Sequence, residues 1–137
     1  MADFNVAFKR TESFEGKNIW TNIDGDSGKE TWSGISRAAN PNWCGWKILD
    51  AIPNKKSGKR YTNDQLELLK RQLYKSQYWD KIWGDNIKNQ KVANDMYDTA
   101  VNMGVAMSIK LAYRTLHMVE RIVMTNELLI KLNRIQT

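Results

Sequence analysis

Cysteine is almost absent from this chain. Cys44 is the only one among 137 residues, so no disulfide can close within it. Histidine is as scarce, with His117 alone in the run Leu116-His117-Met118, where it reads as a helix side chain with a local partner. That scarcity excludes Cys/His metal clusters, and also any Ser-His-Asp or Cys-His catalytic set not built on His117. Neither a metal nor a cofactor is expected. Long apolar runs are missing too. None approaches the roughly 20 residues of a membrane-spanning helix, so stable membrane insertion is not expected. The start, Met1-Ala2-Asp3-Phe4-Asn5, has no basic region followed by an apolar stretch, as a secretory signal would. The expectation is synthesis in the cytoplasm without a signal peptide, any action elsewhere depending on export or release.

What is present is an ordinary globular composition with unusual aromatic weight. Apolar residues make up 42% of the chain, enough for one compact core and too much for a disordered segment. Six Trp and five Tyr are a heavy load for this length. Most belong in a core, and a few could line a groove and stack on a flat ligand. The net charge is +6, which suits a polyanionic partner: nucleic acid, anionic membrane or bacterial cell wall. The one local cluster, Lys55-Lys56-Ser57-Gly58-Lys59-Arg60, reads as a solvated loop. No recognition helix, zinc finger or RNA-binding signature accompanies it, so a nucleic-acid partner is not expected. Oligomeric state is not legible.

The pattern along the chain is mostly helical, with no repeat and no linker. Phe4, Ala7, Phe8, Thr11 and Phe14 share one helical face, predicting a helix over 3–15 with Asp3 as N-cap. Residues 17–34 read as a polar loop or short hairpin. Ile35 to Asn40 reads as a helical turn, as does Trp46 to Ile52, which Pro53 stops. Thr62 and Gln65 form a capping box opening a helix with Leu66, Leu68, Leu69 and Leu73 on its apolar face. Further helices are predicted from about Gln90 to Met103, from Ala106 to Arg121, and from a Thr125 cap through Ile135. Val92, Ala93, Met96, Ala100 and Met103 face inward on the first. Ile109, Ala112, Tyr113, Leu116 and Val119 do so on the second, and Leu128, Leu129, Leu132 and Ile135 on the third. Gly104 is the expected stop of the first.

The chemistry concentrates near the N-terminus. Glu15 closes the first predicted helix, and a loop follows with Asp24, Gly25, Asp26, Ser27, Gly28, Lys29 and Thr31. A carboxyl at a helix C-terminus meets the negative end of the dipole, which favours its protonated form, as a general acid requires. One carboxylic acid facing a second polar group is the minimum equipment for cleaving a glycosidic bond. The same residues also have a plain structural reading: Glu15 as a solvated helix end, Asp26 holding its turn, Thr31 capping a helix. The loop does not fit a calcium hand. Positions six and twelve are Ser27 and Ser33 counted from Asn22, or Lys29 and Ile35 counted from Asp24, instead of Gly and Glu.

Glu15-Gly16, Asp26-Ser27-Gly28 and Thr31-Trp32-Ser33-Gly34-Ile35 resemble the opening of the glycoside hydrolase family 108, which reads Glu-Gly-Gly, Asp-Pro-Gly-Gly, then Thr-x-x-Gly-Ile. Tyr97-Asp98-Thr99-Ala100-Val101-Asn102-Met103-Gly104 resembles the Phe-Asp-x-Ala-Val-Asn-x-Gly block of that family's peptidoglycan-binding segment. Lys17, Ser27 and Lys29 stand where the family has Gly, Pro and Gly. Lys17 or Lys29 beside Glu15 would depress its pKa. The resemblance implies a mostly α, lysozyme-like helical domain with a polar loop or short hairpin after the first helix. Residues 1–90 would be the muramidase-like catalytic segment, and 91–137 a helical peptidoglycan-binding-like segment packed into the same globule.

It implies, further, a lysozyme or endolysin of phage or prophage type, some relatives being labelled secretion activators. Such an enzyme cleaves between N-acetylmuramic acid and N-acetylglucosamine, at the periplasm or cell wall. Glu15 would be the general acid. Asp26 and Thr31 would position a water, with Asp24 as the alternative second carboxylate. Trp20, Asp24, Trp32, Tyr97 and Asn102 would contact the peptidoglycan. The competing reading is a non-catalytic wall-binding module or an inactive prophage remnant.

Overall fold

The computed structural model describes residues 1–12, 17–23 and 29–136. Within it the chain forms two compact units, Met1–Thr11 with Leu73–Thr137, and Glu12–Gln72. The mostly α class expected from the sequence is what the chain adopts, with six α-helices and one small sheet among the described residues.

The Glu12–Gln72 unit is built around that sheet. β1 (Ile19–Thr21), β2 (Thr31–Trp32), β3 (Ile35–Ser36) and β4 (Lys59–Arg60) are antiparallel in the order β3-β2-β1-β4. The β-branched and aromatic residues of β1 and β2 suit a pleated surface, and Trp20 pairs directly with Trp32 across them. Ser33 and Gly34 join β2 to β3 with φ of 50° and 82°. Two positive φ values define the primed turn whose twist matches a two-residue hairpin, and glycine adopts that geometry without strain. Of the helical turn expected at Ile35–Asn40, Ile35 and Ser36 instead form β3, and a single turn follows, closed by the Asn40 N–H on the Ser36 carbonyl at 2.9 Å. β4 falls inside the basic cluster that reads as loop. Its backbone pairs with β1 in the register Ile19↔Arg60.

α2 (Gly45–Asp50) buries Trp46 and Leu49, and α3 (Asp64–Tyr74) buries Leu66. The cap of α3 is Asn63, whose Oδ1 accepts from the Leu66 backbone N–H at 2.8 Å. Thr62, expected as the cap, lies one residue outside and donates to Glu67 at 3.0 Å. Leu68, expected on the apolar face, is exposed.

The other unit begins with α1 (Phe4–Glu12), whose final residue already belongs to the sheet unit. Phe4, Ala7, Phe8 and Thr11 are buried as the spacing predicts, and Asp3 caps the helix through the Asn5 N–H at 2.8 Å. Phe14 and the rest of the predicted helix end lie outside the described residues. α4 (Gln90–Met103) has the predicted bounds and is capped by Asn89. Ala93, Met96 and Ala100 are buried on it, whereas Met103 is exposed. Gly104 follows at φ 97°, ψ 151°, a backbone region essentially confined to glycine. It divides α4 from α5 (Val105–Thr115).

α5 ends six residues before the sequence predicts. His117 takes φ 56°, the Met118 N–H donates to the Tyr113 carbonyl at 2.9 Å, and the His117 N–H to the Arg114 carbonyl at 3.0 Å. This is a Schellman stop with His117 in the left-handed position, so His117 ends the helix and is not a helix side chain. Val119, expected inward, is 84% exposed. α6 (Asn126–Leu132) is capped by Thr125 as predicted, through the Leu128 N–H at 3.2 Å, and buries Leu128 and Leu132.

Candidate active site

Three of the expected site residues, Glu15, Asp24 and Asp26, lie outside the described residues. The described residues next to them in the chain, Glu12, 17–23 and 29 onward to Gln72, belong to the sheet unit. Thr31, the first residue of β2, is half-buried. Its hydroxyl lies 2.6 Å from that of Thr21, its register partner on β1. Two Thr side chains thus face each other where the chain leaves β1 and returns to β2.

A buried ammonium lies beside the residue that precedes β1. Lys70 on α3 is only 1% exposed. Its Nζ contacts Glu12 Oε2, Asn18 Oδ1 at 2.9 Å and Glu67 Oε2 at 3.0 Å, and sits 5.4 Å from the Trp32 ring. Asn18 is bound on every side. Its amide donates to Glu67 at 2.7 Å, its N–H to the Ser33 hydroxyl at 3.0 Å, and its carbonyl accepts from the Tyr61 N–H at 3.0 Å. Asn18 adopts φ 60°, a left-handed conformation that Asn tolerates better than most residues. Lys17 reaches Glu12 at 3.8 Å, and the Arg60 guanidinium donates to the Lys17 carbonyl at 2.7 Å.

Burial opposes the charge on Glu67. Hydrogen bonds from Lys70 and Asn18, the Lys70 charge and the Thr62 hydroxyl outweigh it and hold the carboxyl below the ordinary glutamate range. The sign follows from proton binding. A carboxyl depressed on folding stabilises the fold above its unfolded pKa and loses that contribution as pH falls through its folded value. Melting temperature should therefore drop on acidification through and below the ordinary glutamate range. Glu67→Gln should give a shallower acid limb in the same thermal scans, and an unchanged limb would count against this arrangement.

A second network lies where the chain enters β2. Glu30 is buried and spends both oxygens. Oε2 accepts from the Trp20 indole at 2.8 Å, and Oε1 accepts from Arg37 at 2.9 Å. Arg37 also grips Asp50 with two bonds, 2.7 and 2.9 Å. These hydrogen bonds hold Asp50 below, and Arg37 above, their ordinary ranges. Nothing in the sequence around Glu30 marks it as buried.

Trp32, Trp20 and Tyr97, the aromatic residues expected to contact substrate, are packed against other side chains. Trp32 has no exposed surface. Its ring stacks on Trp43 with centroids 5.8 Å apart, and its N–H donates to the Tyr61 carbonyl at 2.7 Å. Trp20 is buried too, with Tyr61 edge-on and the Lys55 ammonium 5.1 Å from its ring. In the unit formed by Met1–Thr11 and Leu73–Thr137, Tyr97 is 1% exposed and packs edge-on to Phe4 at 5.7 Å. All three rings are buried among other side chains. Asn102, on α4, is exposed. Asp98 accepts from the Thr11 hydroxyl at 3.1 Å and helps fix α1 to α4.

The same unit has a groove of about 240 Å³ between α4, α5 and α6, lined chiefly by Met96, Leu111, Ala112, Leu116, Leu132 and Ile135. Of the described site residues Trp20, Thr31, Trp32, Tyr97 and Asn102, none lines it. Among the described residues no three Cys, His, Asp or Glu side chains form a metal-holding group, and no helix is long and apolar enough to cross a membrane.

The family model described as glycosyl hydrolase 108 matches residues 8–104. That span takes in every expected site residue, from Glu15 to Asn102, and ends on Gly104. The fold is similar to that of a solved structure described as Brucella abortus SagA, with 19% sequence identity over 97% of this chain and 70% of that one, at a TM-score of 0.65. Identity that low speaks to fold alone. No curated protein matches the sequence.

Proposed function

The chain belongs to the glycosyl hydrolase 108 family, and from that premise we propose that it cleaves the bond between N-acetylmuramic acid and N-acetylglucosamine, with Glu15 as general acid. The family supports peptidoglycan hydrolysis in general; the particular bond and the particular acid are our reading. One observation carries it. A single match spans both the Glu15 opening and the Asn102-Met103-Gly104 block, the two parts needed together.

In this reading Glu15 donates a proton to the leaving glycosidic oxygen as positive charge develops on the ring. Asp26, with Thr31, positions a water on the opposite side, and Asp24 is the alternative carboxylate for that task. The Thr21–Thr31 hydroxyl pair supports the assignment of Thr31, because it gives the side chain a fixed partner on β1. Asn102 and the 91–137 segment would serve peptidoglycan binding. Trp20 and Trp32 are buried within the same Glu12–Gln72 unit that carries Thr31. The enzyme would act at the periplasm or cell wall after export or release, in the manner of a phage or prophage endolysin.

Lys17, Ser27 and Lys29, standing where the family has Gly, Pro and Gly, favour a second reading: wall binding without cleavage. Incubation with purified insoluble peptidoglycan separates the two. Hydrolysis releases new reducing ends into the supernatant. A binding module co-sediments with the wall and releases none.

A further inference from the structure

A lysine with 1% exposure needs an explanation, because a buried ammonium is strongly unfavourable unless its donors are engaged. Lys70 has three N–H donors, and Glu12, Asn18 and Glu67 supply three acceptors. The arrangement involves more than one helix. Glu12 is the last residue of α1, and Asn18 directly precedes β1. In sequence they lie three residues before and three residues after Glu15. One ammonium on α3 therefore ties down both ends of the segment that carries the proposed acid. Glu67, one turn earlier on α3, binds the same ammonium and the Asn18 amide, closing the ring of contacts.

An apolar side chain at position 70 would avoid burying a charge. It would leave Glu12 and Asn18 with nothing in common to hold. We propose that Lys70 is the positioning residue of the active site, fixing the chain on both sides of Glu15 through Glu12 and Asn18. This inference rests on Glu15 being the acid. Nothing in the reaction consumes the Lys70 proton. Its contribution is to the geometry in which the acid meets the glycosidic oxygen, and displacement of a reacting group by about 1 Å can cost ~10²-fold in rate.

The test uses Lys70→Met, which keeps length and apolar bulk, and Asn18→Gly, which accepts φ 60° and removes only the side-chain link. kcat and KM are measured on soluble peptidoglycan fragments at a temperature where near-UV circular dichroism shows each variant folded. Lys70→Met should lower kcat by about 10²-fold, and Asn18→Gly should lower it in the same direction by less. KM should stay near the wild-type value for both. Lys70→Met combined with Glu15→Gln should be no slower than Glu15→Gln alone. Folded variants with wild-type kcat would overturn the proposal, as would losses that only track the unfolded fraction. Glu15→Gln run alongside separates the two failures. If it retains activity, the assignment of the acid fails. If it is inactive while folded Lys70→Met is fully active, only the positioning role fails.

Discussion

Replacing Glu15 with Gln should reduce hydrolysis of purified cell wall by about 10²- to 10⁴-fold, the usual contribution of general acid catalysis. Gln has nearly the shape of Glu but no proton to donate at neutral pH. The effect should fall on kcat, since the proton moves only as the glycosidic bond breaks. Sedimentation with insoluble peptidoglycan should persist, because binding does not require that transfer. The melting temperature should change little. The described ion pairs flanking this position use Glu12 and Glu67 on Lys70, and neither is altered. Reducing-end assays, co-sedimentation and a thermal scan on one preparation check all three statements. A Gln variant hydrolysing at the wild-type rate would end the assignment.

Trp32→Ala should cost about 3–5 kcal/mol of stability, as large aromatic-to-alanine changes in a core do. The residue is wholly buried, stacked on Trp43 and placed 5.4 Å from the Lys70 ammonium, and its indole supplies the donor for the Tyr61 carbonyl. Truncation opens a cavity, strands that carbonyl and removes a ring facing a buried charge. Trp32→Phe should cost less, because most of the ring packing remains while the hydrogen bond, worth roughly 1 kcal/mol net, is lost. Urea denaturation of the three proteins measures the series. A Trp32→Ala variant of unchanged stability and weakened peptidoglycan binding would instead restore the expectation that this ring stacks on sugar.

The parts of the fold legible in the sequence are those where many residues repeat one signal. α4 has fourteen residues with an apolar face and a glycine after it, and its predicted bounds hold. The α1 face was legible for the same reason, and Thr125 by its capping side chain. The two-residue strands were not, because two positions cannot display an alternation. β4 is made of Lys59 and Arg60, which have no strand preference of their own; pairing with β1 decides its state. The hairpin at Ser33-Gly34 did leave a signal. In the family's Thr-x-x-Gly-Ile motif, glycine is the residue that the φ of 82° asks for.

Lys70 was findable as well. It lies four residues after Leu66 and three before Leu73, on the apolar face of α3, where a lysine breaks the pattern. A charge on a core-facing stripe signals a buried partner, and here the partners come from segments distant in sequence. The early end of α5 left a weaker trace. His117 has no sequence flag for a left-handed cap beyond the modest tolerance of His for that conformation. The buried state of Glu30 left none.

Hydrolysis of one particular bond in peptidoglycan leaves one particular sugar at each new reducing end. The most direct test is mass spectrometry of the fragments released from purified peptidoglycan, with the new reducing ends identified by borohydride reduction. The account predicts reduced N-acetylmuramic acid at the new ends. Reduced N-acetylglucosamine, or no new ends above the Glu15→Gln control, would contradict it.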